Sequence, residues 1–561
     1  MKALNNKNGK MIKRMLILLA VLFVIVFILI KAEDFIKEQT NDKISLVINN
    51  TNVTERLKNE LKIDDGIIYV SMDDMKNFFD KYIYIEDETN EVITTYEDKI
   101  ASIGFESNKL TLNGSTKKTG AHAIKENDTT YLPISEMKDV YDIEINNIAE
   151  TKVITIDSTD REQLKAQTKA DISVKSKKEG FSRTVDKISK GDSVIVVKNN
   201  NEVSEKGWTK IRTQNGKLGY VKTSKLEEIT TIREAKEKTK QINGKVDMFW
   251  DYYSQYVKAP DRTGQVVEGV NVVSPSFFYL EKETGTLKEN VGDAGIAYIN
   301  WAHSNGYKVW AMLSNAEAGI KVSSTILNSY TKRQQLIQSI VEKCAQYDID
   351  GINVDFENMY EADKDKYSRF IIELTPRMEE MGIVTSVDVT APDGDPNWSL
   401  CFDRHVLGDV ADYLIFMGYD QYGTSSSKPG TTAGLNWVET SLKKIIDYDE
   451  VDTDKIILGM PLYTRQWTIT QDGTIKDRST VSMMNIKIPN NVEKQWDDTL
   501  KQYYIEYASG KNTVKMWIED GTSIKEKVSL VSKYNLGGTS CWRKDMETSN
   551  VWTIIKEGLA E

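Results

Sequence analysis

From Gly244 to the C-terminus, eight runs rich in β-branched and aromatic residues recur with helical segments between them: 245–250, 266–278, 307–313, 351–357, 383–391, 413–420, 455–463 and 538–543. Runs this apolar read as buried strands, and strands that alternate with helical crossovers pair in parallel. Eight such units over about 318 residues predict an α/β fold, a closed (β/α)8 TIM barrel rather than an open sheet. In that architecture chemistry belongs to the C-terminal ends of the strands, so the residues that follow each run are the first candidates for a site.

The segments ahead of the barrel have a different character. Met15 to Ile30 is an unbroken run of 16 apolar residues preceded by Lys2, Lys7, Lys10, Lys13 and Arg14. Snorkelling Lys13, Arg14 and Lys31 extend it towards bilayer thickness, and no small-residue cleavage site follows. The expectation is a cytoplasmic basic tail at 1–14 and an uncleaved transmembrane anchor at 15–31, with a cleaved signal peptide as the competing reading. Positive charge on the N-terminal side puts everything from about residue 33 outside the cell, in or near the cell wall of a Gram-positive-type bacterium. Within 44–158, Tyr69-Val-Ser-Met-Asp-Asp-Met75-Lys76 recurs as Tyr131-Leu-Pro-Ile-Ser-Glu-Met137-Lys138, each copy leading into an alternating hairpin pattern. Strand, short helix and hairpin, twice over, make an α+β stalk that resembles the N-terminal domain of copper amine oxidases, with nothing to suggest copper. Residues 170–228 carry short β runs and glycine turns, among them Gly207-Trp208-Thr-Lys210-Ile211 and Gly219-Tyr220-Val221. They predict a small barrel resembling a bacterial SH3 domain, in which Trp208 is either a ligand platform or core. A charged linker, 229–243, leads to the large barrel.

Composition narrows the function. Lys+Arg of 73 against Asp+Glu of 84 leaves a formal charge of −11, which disfavours nucleic acid as a partner. The three cysteines, Cys344, Cys401 and Cys541, are too scattered for a disulfide framework, and the three histidines form no HExxH, so no metal and no cofactor is expected.

The fourth run ends Asp350-Gly-Ile-Asn353-Val-Asp355-Phe-Glu357-Asn358. Alternation puts Asn353, Asp355 and Glu357 on one face and Ile352, Val354 and Phe356 on the other. A polar triplet inside a barrel is costly unless it is hydrogen-bonded and does a job. Two carboxylates this close perturb one another and raise the pKa of one, as a general acid working near neutrality requires. Glu357, nearest the mouth, is the natural acid.

This motif resembles the D-x-x-D-x-D-x-E signature of glycoside hydrolase family 18, the chitinase-like enzymes, and the resemblance covers most of 244–561. It implies a substrate-assisted retaining mechanism: Glu357 protonates the glycosidic oxygen while Asp355 orients the substrate's own acetamido group, whose oxygen attacks the anomeric carbon. Asn353 stands where the family has its second aspartate, which bears on the pH profile. Met417-Gly-Tyr419-Asp420 matches the family's M-x-Y-D, implying that Tyr419 donates to the acetamido oxygen and Asp420 helps bind that sugar. Tyr463 and Arg465 after the seventh run look like sugar-binding residues, and Trp542 on the eighth matches the tryptophan that floors the distorted sugar. Trp398, in the loop after the fifth run, lines the cleft or caps the loop; Trp250 is a weaker candidate of the same kind, and Asp388 faces inward near Asp355. The implied protein is a membrane-tethered glycosidase of N-acetylated glycans, peptidoglycan foremost, with chitin hydrolysis or non-catalytic glycan binding as alternatives.

Overall fold

The computed structural model describes residues 43–236 and 241–560, with positions 15, 19 and 21–24. Among the described residues no helix is long and apolar enough to cross a membrane. The tail expected at 1–14 lies outside them, as do most of the anchor expected at 15–31 and part of the linker.

The chain forms two compact units, one drawn from Met1–Phe79 and Ile124–Lys238 and the other from Asp80–Ala123 and Thr239–Glu561. In the first, the repeated segments pair with each other: Ile67–Ser71 runs antiparallel to Thr129–Pro133, with Leu132 opposite Val70. Each strand leads into a helical turn, Met72–Phe78 or Ile134–Glu136, and the matching Met75 and Met137 are both fully buried. A seven-stranded antiparallel sheet from Gln163 to Arg233 follows, closing over Val174, Val196, Ile211 and Val221. It starts before and ends after the expected 170–228. Trp208 is buried on it, with the Lys222 ammonium 4.3 Å from its ring centroid, so it is a core residue rather than an open platform.

The second unit is built on a closed barrel of eight parallel strands: β1 Val246–Asp251, β2 Val272–Pro275, β3 Lys308–Ser314, β4 Gly351–Asp355, β5 Val384–Val389, β6 Tyr413–Met417, β7 Ile456–Pro461 and β8 Gly538–Trp542. β8 pairs with both β1 and β7, which closes the ring. The outward residues Phe249, Ile352, Val354, Phe356 and Phe416 join one core beneath the helices, while Met248, Trp250, Trp310, Met312 and Ile415 fill the barrel itself. Gly351 is required in β4 because a Cβ there would collide with the Trp310 ring. Besides a nine-residue helix after β3, Gly319–Leu327, the helices are α1 Gly292–Ser304, α2 Tyr330–Tyr347, α3 Lys364–Glu379, α4 Arg404–Val410, α5 Leu435–Asp447, α6 Gly521–Tyr534 and α7 Val551–Ala560.

Three details differ from expectation. No helix occupies the β1–β2 connection. β4 stops at Asp355, and the left-handed Asn358 turns the chain away just beyond Glu357. The seventh run stops at Pro461, which lacks the N–H a ladder needs. Tyr463–Ile469 then opens an inserted antiparallel sheet of five strands that reaches to Ile518 and that the sequence pattern did not reveal.

Residues 80–123 form a five-stranded antiparallel sheet, Tyr84–Glu86 through Ser115–Lys118, against α2 and α3. Glu88 accepts hydrogen bonds from the Tyr330 and Thr331 amides, at 2.7 and 3.2 Å, and from Ser329 Oγ, supplying an anion to the start of α2 where backbone donors lack partners. The Tyr84 hydroxyl donates to Glu373 at 2.7 Å, and Glu373 pairs through both oxygens with Arg333; both charged side chains are essentially inaccessible to solvent. Arg369 stacks on Tyr84 at 4.0 Å and donates to the Tyr82 carbonyl, while the Tyr82 hydroxyl reaches Asp409 at 2.7 Å.

Candidate active site

The polar side chains inside the barrel converge at the C-terminal ends of its strands, beginning one layer below the mouth. Asn353 is fully buried there. It accepts from Trp250 Nε1 at 2.8 Å and from Ser274 Oγ at 3.3 Å, and donates to Ser386 Oγ at 3.2 Å and Asp388 Oδ1 at 2.8 Å. All of its polar capacity is spent on protein groups, so Asn353 acts on the site through Asp388. Trp250 is likewise sealed in the barrel with its indole N–H committed, below the cleft rather than lining it.

Further along the chain towards the mouth, Asp355 and Glu357 are partly exposed. Burial holds the Asp355 carboxyl well above the usual range, reinforced by the Asp388 charge. The same causes raise Glu357: loss of water first, then Asp355 and Asp420. Asp388 is raised by burial, against the lowering effect of its bond from Asn353. The carboxyl that influences Asp355 from the interior therefore comes from the neighbouring strand β5, while β4 has a neutral amide at 353. Like charges held in a water-poor pocket resist ionising together, so each carboxyl of the cluster gives up its proton at higher pH than it would in water.

The Glu357 backbone is clamped by Asn315, the residue that follows β3. Asn315 Nδ2 donates to the Glu357 carbonyl at 2.9 Å and to Ser323 Oγ at 3.0 Å, and its Oδ1 accepts from the Glu357 amide at 2.9 Å. Sequence reading missed Asn315; position after a barrel strand was the available signal.

β6 brings Tyr419 and Asp420. Burial and the surrounding tyrosine and carboxylates push the Tyr419 phenol well above its ordinary value, so it stays a donor. Asp420 lies in the left-handed region and is anchored from the inserted sheet: Tyr463 Oη donates to its Oδ1 at 2.6 Å and Arg465 Nη2 at 2.8 Å. Tyr463 and Arg465 are themselves buried, so in this structure they hold Asp420 and do not face open solvent. Met417, the last residue of β6, is buried. Trp542, partly exposed at the end of β8, packs at a tilt against Trp250 and Tyr252, at 5.8 and 5.4 Å between centroids. Tyr252 is exposed immediately after β1 and extends this aromatic wall, which sequence reading also missed. Trp398 stands out into solvent on a loop ordered by Asp395, and the Asn397 carbonyl of that loop accepts the Met359 amide at 3.0 Å. The structure thus gathers Asp355, Glu357, Tyr419, Asp420 and Trp542 at one mouth, with Asn353, Met417, Tyr463 and Arg465 as their buried support.

Among the described residues no group of three or more His, Cys, Asp or Glu side chains is placed to hold a metal ion. Cys344, Cys401 and Cys541 are buried free thiols, the first pushed up to about 12 by burial.

The uncharacterized glycosylase YvbX of Bacillus subtilis is 25% identical over 305 residues, covering 52% of this chain and 85% of that protein. The cortical fragment-lytic enzyme of the same organism is 26% identical over 254 residues, 44% of this chain and 58% of that one. The crystal structure of the Bacillus megaterium spore cortex-lytic enzyme SleL superposes with a TM-score of 0.49 at 21% identity, covering 59% of this chain and 77% of that one. Residues 39–156 match the copper amine oxidase N-terminal domain. Residues 245–547, more than half of the chain, match the sequence model of the glycosyl hydrolases family 18 over the barrel that carries this carboxylate cluster, and the protein belongs to that family of glycosidases.

Proposed function

We propose that the protein is an exported, membrane-anchored glycosidase that cleaves β-1,4 bonds of N-acetylated glycans, peptidoglycan first among them, with Glu357 as general acid and base. The observation that carries the reading is the placement of Glu357: at the barrel mouth, clamped through its backbone, with its carboxyl held well above the ordinary range by burial and by Asp355 and Asp420. A carboxylic acid in that state gives its proton to the glycosidic oxygen as the C1–O bond breaks. The acetamido carbonyl oxygen of the same sugar closes on C1. Asp355 accepts the acetamido N–H and Tyr419 donates to the acetamido oxygen. Water then attacks C1 from the vacated side, giving its proton to Glu357, and retention follows from the two displacements. Trp542 and Tyr252 offer ring faces to the apolar C–H face of the sugar.

Peptidoglycan is preferred over chitin because the relatives include a cortical fragment-lytic enzyme and because a wall-facing anchor would place the barrel among such strands. The basic residues and apolar run at 2–30 support the anchor. The test is to incubate the full chain and its Glu357→Gln variant with purified peptidoglycan and, separately, with chitin oligomers. Wild type should release reducing ends from peptidoglycan, and mass spectrometry of reduced products identifies the sugar at the new end. Release from neither substrate refutes the proposed substrate class. Equal cleavage by Glu357→Gln refutes the residue assignment.

A further inference from the structure

Where the sheet of residues 80–123 lies on α2 and α3, the two leave a groove of about 550 Å³, on the flank of the barrel rather than at its mouth. Its floor holds Ile100 and Ala101, and Tyr330 lines it along with Ser102, Thr111, Gln334 and Gln338. Two features make this a built site. Its walls are fixed by the Glu88, Tyr84 and Arg333–Glu373 contacts described above, so it is preformed. Gln334 and Gln338 each commit Nε2 to a carboxylate, Glu373 at 2.9 Å and Glu342 at 3.0 Å, which sets the orientation of both amides. The cation in the lining, Arg377, is tied through Nε to Glu380 at 3.1 Å, so its charge is partly offset and the groove is poorly suited to select a phosphate polymer. Hydroxyls and amides that both donate and accept, beside an aromatic ring and an apolar floor, match a neutral sugar, whose rim is hydroxylated and whose faces are apolar.

We propose that this groove is a second glycan-binding site, taking a stretch of the same N-acetylated strand that the barrel cleaves. The proposal rests on the reading of the substrate given above. A strand held at the flank raises the effective concentration of its next segment at the mouth, which favours polymer over short oligomers.

The test uses the full chain carrying Glu357→Gln, titrated with N-acetylated chitohexaose and followed by hydrogen–deuterium exchange. Slowed exchange is expected in peptides covering 100–111 and 330–339 as well as those around 355–360 and 417–421. Thr111→Trp, which pushes a bulky ring into the groove, should abolish the first effect and spare the second. In the active background, Thr111→Trp should raise KM for polymeric glycan at least about fivefold while leaving kcat/KM for a trisaccharide unchanged. Protection at the mouth alone overturns the groove and leaves the substrate reading intact. Protection at the groove alone supports the groove and counts against the assigned cleavage site. Protection at neither overturns the groove and counts against the substrate class.

Discussion

Replacing Asn315 with alanine isolates the contribution of backbone positioning to the acid. The side chain is almost wholly buried and makes two hydrogen bonds to Glu357, one in each direction, both 2.9 Å. Each is worth about 1 kcal/mol net, and leaving the Glu357 amide and carbonyl short of a partner costs about 1–3 kcal/mol more, so a loss of about 3–5 kcal/mol in unfolding free energy is expected. Catalysis should suffer separately. Without the clamp the Glu357 carboxyl is free to drift, and a displacement of about 1 Å costs up to about 100-fold in turnover. Steady-state kinetics on a short oligomer should therefore show kcat reduced roughly 10–100-fold with KM nearly unchanged, because no sugar contact is removed. The alkaline limb of the kcat profile should also move, since the acid's pKa depends on its distance from Asp355 and Asp420. Ser323→Ala removes only the outer support and should leave kcat within a few-fold. A variant that loses the expected stability but keeps wild-type kcat and pH profile would show that Asn315 is structural and that something else aims the acid.

Glu357→Gln should be more stable than wild type at pH 7–8. The folded carboxyl holds a proton that the unfolded chain releases above about pH 4.3, so ionisation progressively destabilises the native state as pH rises, and the gain should vanish towards pH 4 in thermal melts. Tyr463→Phe deletes the 2.6 Å bond to Asp420 and should raise KM for oligomers about tenfold with the fold retained, as measured by kinetics alongside circular dichroism. Arg333→Met leaves Glu373 buried without its partner and should cost about 3–5 kcal/mol in denaturant unfolding, much of it restored by adding Glu373→Leu.

The barrel was legible because its strands are apolar on both faces, so each announces itself without knowledge of its neighbours. The β4 motif was legible for the converse reason, since Asn353, Asp355 and Glu357 break that apolarity at alternate positions. The inserted sheet was not, because strands such as Ile475–Ser482 (IKDRSTVS) are solvated and carry no buried run. Asn315 and Asp388 were weak or silent signals because their meaning is a meeting with residues 42 and 35 positions away. Tyr463 and Arg465 were assigned to the sugar from their motif, whereas the fold turns them inwards on Asp420. Nor does any local pattern show that the hairpin after Asp80 packs on barrel helices; its alternation fits an ordinary stalk equally well.

That packing bears on how such proteins are assembled over time. A domain strung on a linker can be exchanged for another without consequence to the enzyme. Here the anion at the start of α2 is Glu88, and one wall of the Arg333–Glu373 pair is Tyr84, both encoded more than 150 positions ahead of the barrel. A recombination event that cut at residue 244 would deliver a barrel with a bared helix end and an uncovered ion pair. The repeat and the glycosidase are therefore constrained to be inherited together, and variation at Tyr84 or Glu88 should be matched by variation on α2 and α3.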